Sequence, residues 1–269
     1  MYDALKDKFP DMFDGSVAGI FVDDTGSPGL NNTPSHLKKD RKTWVSVLVL
    51  ANQMPEIMEQ IPNAIVGLTE ITGASEFHFA DIFGGRREFK SVAPAKRIGV
   101  FKFMAWVFNR HRFPIHVQTF DPESEAFIEA KRTLGNHRVG RLDLSNHEHF
   151  ALYFLLYLTH GYFRKNHPRM LARVFVDEGI YSHGQGFKVP GFNPEFKDDL
   201  LCFSNSKFVM PIQLADFAAF CLNRQQLLLG KSELSDADWQ FLEVCTEANF
   251  NLINIPKVAT SKKLWSIGH

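Results

Sequence analysis

Three apolar segments, far apart in the chain, each lead to an aspartate. They span residues 19–23, 173–177 and 211–216, and the aspartates are Asp23, Asp177 and Asp216. Charged side chains are almost never fully buried unless they are paired or bind a metal. If the fold brings these three carboxylates together, a shared proton or a divalent cation must relieve their repulsion. The second case predicts a metal-dependent site for phosphoryl transfer.

The first two segments each carry a second acid directly after the aspartate. Asp24 follows Asp23, and Glu178 follows Asp177. Because successive side chains of a strand point to opposite faces, we expect Asp23 to point inward and Asp24 to point away. The alternatives are that Asp23 or Asp24 caps the following turn, and that Glu178 is a solvated turn residue.

The third segment predicts a buried helix with one polar face. Gln213 and Asp216 are three residues apart, which places them on the same face, and the other positions are apolar all round. A buried aspartate needs a partner, so we expect Asp216 to bind a metal or to join a hydrogen-bond network. We expect Gln213 to orient Asp216 or a metal-bound water. The alternative is a structural hydrogen bond from Asp216 to nearby backbone.

Residues 76–81 offer a further acid and a histidine. Their alternation predicts a short strand with Glu76 and His78 on one face. Such a histidine can bind a metal, activate water or position a phosphate. The alternative is a structural histidine with its hydrogen bonds satisfied within the fold.

Apolar periodicity predicts the elements that must position these side chains. Strands are expected at 17–23, 44–51, 76–80, 114–120, 171–176 and 200–203, and helices at 55–68, 95–108, 148–162 and 211–229, with a last helix capped by 235–238 and ending near 248. A turn is expected at 26–29 and loops at 33–42 and 179–199. Interleaved strands and helices predict an α/β domain with a mixed sheet.

The composition is that of a globular chain, with 269 residues, 45% hydrophobic and 22% charged. Lys+Arg and Asp+Glu both number 30, so the net charge of zero weakens any case for tight non-specific binding of nucleic acid. Three cysteines without a Cys-x-x-Cys pair predict reduced thiols and a cytoplasmic protein. The apolar stretches are too short to span a membrane, so no membrane association is expected.

Basic residues form three short runs. If a run lies beside the acids it would be the electrostatic footprint of a nucleic acid, although such runs are usually solvated faces. The runs are Lys38, Lys39, Arg41 and Lys42; Arg86, Arg87 and Lys90; and Arg164, Lys165 and Arg169.

Residues 24–27, Asp-Thr-Gly-Ser, also resemble the signature of aspartic peptidases, in which two acids share a proton. Such enzymes are almost entirely β, whereas this chain predicts several long helices. The second copy, starting at Asp177, lacks the Thr or Ser of the signature. This alternative predicts a β-rich protein that cleaves peptides at acid pH without metal.

Taken in order, the acidic segments resemble the bacterial, archaeal and phage family catalogued as domain of unknown function 3800 (DUF3800). The resemblance covers about residues 17–229. Its motifs are Asp23-Asp24-Thr25-Gly26, Glu76-Phe77-His78, Asp177-Glu178, and Ser206-Lys207 ahead of Gln213-Leu214-Ala215-Asp216. The chain departs from the family pattern at Asp24, where Glu is usual, and at Thr25, where Ser is usual.

The resemblance implies a ribonuclease H-like fold, a central mixed sheet flanked by helices, in one domain over residues 1–269. The core would span about 17–229, and 230–269 would form a C-terminal helical extension. It also implies that Mg²⁺ or Mn²⁺ is held by acids on the first strand, a later strand and a C-terminal helix.

By that resemblance, the metal ligands would be Asp23, Asp177 and Asp216, with Glu76 or His78 completing the set. Secondary positions would be Asp24, Glu178, Gln213, Ser206 and Lys207, and His78 or Lys207 would contact the scissile phosphate. The expected function is cleavage of phosphodiester bonds, with DNA or RNA as the partner. The alternative is a catalytically silent binding or regulatory module in a phage-defence or mobile-element system. Whether the chain forms a homodimer or binds a protein partner is not decided by the sequence.

Overall fold

The computed structural model describes residues 2–25, 41–120, 122–123, 125–134 and 137–254. The turn expected at 26–29 and most of the loop expected at 33–42, including Lys38 and Lys39, lie outside the described residues.

A seven-stranded mixed sheet forms the centre of the described fold. The strands are β1 (Ala18–Thr25), β2 (Lys42–Val49), β3 (Pro114–Phe120), β4 (Arg138–Val139), β5 (Leu142–Asp143), β6 (Ala172–Asp177), β7 (Gly186–Lys188), β8 (Phe196–Ser204) and β9 (Asn251–Leu252). The order in the large sheet is β7-β8-β6-β1-β2-β3-β9, and β4 pairs with β5 separately. β1 runs antiparallel to β2 but parallel to β6, which in turn is parallel to β8.

Helices cover both faces of this sheet, which makes the fold α/β. They are α1 (Tyr2–Lys8), α2 (Pro10–Phe13), α3 (Met54–Thr72), α4 (Phe79–Gly84), α5 (Pro94–His111), α6 (Glu125–Leu134), α7 (His147–Asn166), α8 (Ile212–Leu228) and α9 (Asp236–Ala248), with a 3-10 turn at Arg87–Phe89. One apolar core joins α3, α5, α8 and α9 to the sheet, and a second joins α7 to the opposite face.

Alternation along β1 and β6 divides their side chains between these two cores. Phe21 and Phe175 stack on the α8 face, whereas Val22 and Val176 lie on the α7 face. The residue two positions further along each strand therefore points to the same face again. This parity decides which acids at the strand ends can meet.

Most predicted elements are confirmed, with ends shifted by a few residues. The strand predicted at 114–120 coincides with β3, and the cap predicted at 235–238 is a capping box in which Ser235 and Asp238 bond each other's backbone. The C-terminal extension predicted as helical contains α9, which packs on α5, but also the strand β9, which pairs with β3. Its residues 255–269 lie outside the described residues.

Two local predictions were wrong. The segment predicted as a strand at 76–80 is a loop followed by α4, because its alternation comes from two phenylalanines, Phe77 and Phe79, that are buried without a neighbouring strand. The segment predicted as a loop at 179–199 contains β7 and the start of β8, which extend the sheet beyond β6. None of the described helices has both the length and the apolarity needed to cross a membrane.

Candidate functional site

Asp23 and Asp177 lie side by side where β1 and β6 end. The parallel register pairs Val22 with Val176, so the two aspartates are the next residues on neighbouring strands. Both lie two positions beyond the stacked phenylalanines and therefore face α8. Asp23 is only 8% exposed, and one of its oxygens, Oδ1, accepts a 2.7 Å hydrogen bond from the backbone N–H of Asp24.

Helix α8 brings the third aspartate to this pair. The helix packs directly across β1, and its first turns carry Gln213 and Asp216. The backbone N–H of Phe79, at the start of α4, donates to the Asp216 carboxylate. The three carboxylates that the sequence singled out thus come together from β1, β6 and α8, and we call Asp23, Asp177 and Asp216 the acidic cluster.

The acidic cluster has raised pKa values. Burial is the main cause at each residue, and it raises the pKa of Asp177 to about 7 and that of Asp216 to about 8. Repulsion adds to burial: Asp216 and Asp177 both raise the pKa of Asp23, which lies well above its ordinary value. Near neutral pH the cluster therefore retains protons that ordinary aspartates would have lost.

One oxygen in the acidic cluster is unsatisfied. Oδ1 of Asp177 is buried and has no hydrogen-bond partner among the described residues. A buried acceptor without a donor is unfavourable, whereas a proton or a cation beside it would remove the deficit. Carboxylate oxygens are also the ligand type that Mg²⁺ and Mn²⁺ prefer.

Glu76 approaches the acidic cluster from the loop before α4. Its charge raises the pKa of both Asp177 and Asp216. Ser206 Oγ donates a 2.8 Å hydrogen bond to Glu76 Oε2, and Lys207 Nζ lies 3.4 Å from Oε1. The two residues after β8 therefore hold Glu76 at the edge of the cluster.

Gln213 has a different role from the one predicted. Its side chain is fully buried, its Oε1 accepts the backbone N–H of Phe77 at 2.6 Å, and its Nε2 donates to the carbonyl of Ser206 at 3.2 Å. It therefore ties together the two loops that carry Glu76 and Ser206, and both ends of its amide are used for this. The expectation that Gln213 orients Asp216 is corrected accordingly.

His78 does not join the acidic cluster in the way that the predicted strand required. It precedes the first residue of α4, its side chain is exposed, and the described residues provide no hydrogen bond or ion pair to its imidazole. Glu76, in contrast, is partly buried. Because the segment is a loop, the alternation that placed both side chains on one face does not apply.

Comparison with protein-family models, curated proteins and solved structures gives no match. Within the described residues, no group of three or more histidine, cysteine, aspartate or glutamate side chains is already arranged as a metal cage. The acidic cluster therefore offers suitable oxygen donors, one of which is unsatisfied. A cation that binds there would have to draw the three carboxylates closer together.

Asp24 belongs to a second acidic group on the α7 face, as its expected divergence from Asp23 requires. It forms an ion pair with Lys42 on the neighbouring strand. Burial raises the pKa of Asp24, and Glu148 of α7 adds repulsion that Lys42 opposes. Asp24 thus has a cationic partner that only partly offsets its burial, whereas the described contacts of Asp23 include no basic side chain.

Glu178 is exposed and takes part in an ordered loop at the end of the sheet. The amide of Asn205 donates to Glu178, and the backbone N–H of Asn205 donates to His183 Nδ1 at 3.0 Å. Ser204, which pairs with Asp177 in the sheet, lies 3.3 Å from the same nitrogen. His183, Asn205 and Glu148 carry no sequence signal for this position, because only the strand pairing and the packing of α7 place them here.

The predicted basic runs do not all remain solvated. Arg41 is buried and donates to Gln226 and Asn223 of α8, so it is part of the packing around that helix. Arg87 pairs with Asp81 at 3.2 Å and is otherwise exposed. Lys207, which belongs to none of these runs but was predicted to lie in the site, contacts Glu76.

Proposed function

We propose that this chain is a divalent-metal-dependent nuclease of the ribonuclease H-like type, which hydrolyses phosphodiester bonds in DNA or RNA. The main support is the convergence of Asp23, which is buried, with Asp177 and Asp216, which are partly buried. Burial and mutual repulsion raise the pKa values of all three, and no basic partner offsets this among the described residues. A divalent cation binding between them would replace the protons and stabilise the ionised form of each.

The placement of these acids adds support. They lie on the first strand, on a later strand parallel to it and on a C-terminal helix. These are the positions at which the resemblance to the DUF3800 family expects metal ligands. The α/β sheet with helices on both faces is compatible with the ribonuclease H-like fold that the same resemblance implies.

Each residue of the site has a defined task in this proposal. Asp23, Asp177 and Asp216 would hold Mg²⁺ or Mn²⁺, which supplies an activated water and charge stabilisation when bound. Lys207 is placed to attract the phosphate, because it is 45% exposed beside Glu76. Gln213 keeps the Glu76 and Ser206 loops at a fixed separation, so it is a positioning residue.

A specific observation favours a second candidate, the silent binding module. Glu76 is already bonded to Ser206 and Lys207, and the described acids do not form a finished metal cage. A chain of this kind could retain the acids and bind a partner without cleaving it. The aspartic peptidase alternative receives less support, since it requires an almost entirely β protein and the described fold is α/β.

A cleavage assay separates these candidates. Labelled single-stranded DNA, double-stranded DNA and RNA are incubated with the protein and Mg²⁺, Mn²⁺ or a chelator. We expect metal-dependent cleavage that falls by at least about a hundredfold in Asp23→Asn and Asp216→Asn, because each removes a ligand charge. Glu56→Gln, which changes an acid on α3 that pairs with Arg110, serves as the control and should cleave normally.

Either of two results would reject the nuclease proposal. One is cleavage at the wild-type rate by Asp216→Asn, and the other is cleavage that a chelator leaves unchanged. Metal binding without cleavage of any of the three substrates would favour the binding module.

A further inference from the structure

A cavity of about 490 Å³ lies between α3 and α5, away from the acidic cluster. Its wall is mostly apolar, formed by Leu68, Phe77, Phe89, Val92, Val100 and Phe103. This volume and an apolar lining with few polar groups are typical of sites for small molecules.

Two glycines keep this cavity open. Gly67 in the interior of α3 and Gly99 in the interior of α5 both line it, and a Cβ atom built on either one has no neighbour within 4 Å. Glycine weakens a helix relative to alanine, and neither position has a positive φ or a close contact that requires glycine. Both glycines therefore leave open space along the wall of the cavity.

Two basic residues line the same cavity, and neither forms an ion pair with an acid among the described residues. Arg97 is anchored by hydrogen bonds from its Nη1 to the carbonyls of Ile82 and Phe83, at 3.0 and 2.7 Å. Lys96 is exposed beside it. A guanidinium and an adjacent ammonium favour an anionic group.

We propose that this cavity binds a small amphiphilic anion, such as a medium-chain carboxylate. The apolar chain occupies the space between Gly67 and Gly99, and the acidic head group lies against Lys96 and the guanidinium of Arg97. The charge of the two basic residues and the apolar wall together select this chemistry over a neutral or cationic ligand. The proposal does not depend on the nuclease function.

Phe77 connects this cavity to the acidic site. Its ring lines the cavity, while its backbone N–H donates to Gln213 and its neighbours in sequence are Glu76 and His78. A ligand in the cavity would therefore contact Phe77, the residue through which Gln213 holds the Glu76 loop.

Calorimetric titration with decanoate tests the proposal. We expect one saturable site in the wild type, and binding at least about tenfold weaker in Gly67→Leu, whose new side chain fills the cavity. Gly161→Leu is the matched control, since Gly161 is also a glycine inside a helix with open space around its Cβ but lies in α7. Both substitutions raise helix propensity, so loss of binding in Gly67→Leu alone would not reflect unfolding.

The head group is tested separately with decan-1-ol and with Lys96→Met. We expect both to bind about tenfold more weakly than decanoate binds the wild type, while Lys102→Met, on α5 but outside the cavity, binds normally. The proposal is overturned if the wild type shows no saturable binding of decanoate, if Gly67→Leu binds as tightly as Gly161→Leu, or if decan-1-ol binds as tightly as decanoate.

Discussion

Two buried acidic sites in this protein have opposite electrostatics. Asp238, at the start of α9, is 1% exposed, yet Arg224 and Lys231 form ion pairs with it at 2.9 and 2.7 Å and Ser235 donates to it. Burial opposes ionisation of Asp238, but these partners outweigh it and lower its pKa to about 2. In the acidic cluster burial wins, and the pKa values of Asp177 and Asp216 rise to about 7 and about 8.

The contrast shows that burial of an acid does not by itself indicate a functional site. Asp238 is compensated and forms part of the structure, because its charge is neutralised within the fold. The acidic cluster is uncompensated, and it leaves Oδ1 of Asp177 without a partner among the described residues. An acid that lacks an internal partner is the one available to a ligand.

The largest effect on stability is expected at the compensated site. Asp238→Ala leaves Arg224 and Lys231 without their partner and removes the capping box, so the free energy of unfolding should fall by about 3 kcal/mol. Chemical denaturation near neutral pH measures this. A loss below about 0.5 kcal/mol, the size of a surface pair, would contradict the proposed compensation.

Removing a charge from the acidic cluster should raise the stability of the protein, the opposite of the effect at Asp238. Its folded pKa values exceed the unfolded ones, so it lowers stability progressively as pH rises from about 4 towards 8. Asp216→Asn removes one charge and keeps an acceptor for the N–H of Phe79, and it should stabilise the metal-free protein by roughly 1–2 kcal/mol at about pH 8. Denaturation of both proteins at about pH 5 and pH 8 tests this, and an equal difference at both pH values would contradict it.

The contribution of Asp238 has the reverse pH dependence. Its folded pKa lies below the unfolded value, so its stabilisation is present above about pH 4 and is lost as pH falls towards 2. The free energies of unfolding of Asp238→Ala and of the wild type should therefore converge only in strong acid. A profile parallel to that of the wild type at all pH values would show that the charge of Asp238 contributes nothing.

The smallest effect is expected at Lys207, which contacts Glu76 at the edge of the acidic cluster. Lys207 Nζ lies 3.4 Å from Glu76 and its side chain is 45% exposed, so Lys207→Met should change the free energy of unfolding by less than about 0.5 kcal/mol. If Lys207 serves the substrate, the same variant should weaken nucleic-acid binding measurably. A large loss of stability would instead show that the ion pair between Lys207 and Glu76 is structural, like the ion pairs of Asp238.

The sequence marked Asp23, Asp177 and Asp216 as candidates, because each ends or interrupts an apolar element, but whether they meet depends on the pairing of β1 with β6 and on the packing of α8. Asp23 and Asp177 follow short apolar runs that are typical of buried strands, and Asp216 interrupts a helix that is apolar all round. The α/β class followed from the same alternation of elements. These predictions depend on local patterns, which the sequence carries directly.

Features that depend on tertiary contacts were missed or misjudged. Alternation at Phe77 and Phe79 is the same for a strand and for a loop buried on one side, so the Glu76 segment was predicted wrongly. Gln213 was expected to serve its helical neighbour Asp216, whereas it bonds two loops far away in sequence. His183 and the cavity between α3 and α5 had no sequence signal, since each depends on how separate elements pack.

The most direct test is a calorimetric titration of Mn²⁺ into the metal-free wild type, Asp177→Asn and Asp238→Asn at about pH 7.5, in two buffers with different ionisation enthalpies. We expect saturable binding with proton release in the wild type, because a cation displaces protons held by carboxylates whose pKa values are about 7 and about 8. Binding should be lost in Asp177→Asn and retained in Asp238→Asn. Absence of binding to the wild type, or equal binding to Asp177→Asn, would contradict the central claim that the uncompensated acids form a cation site.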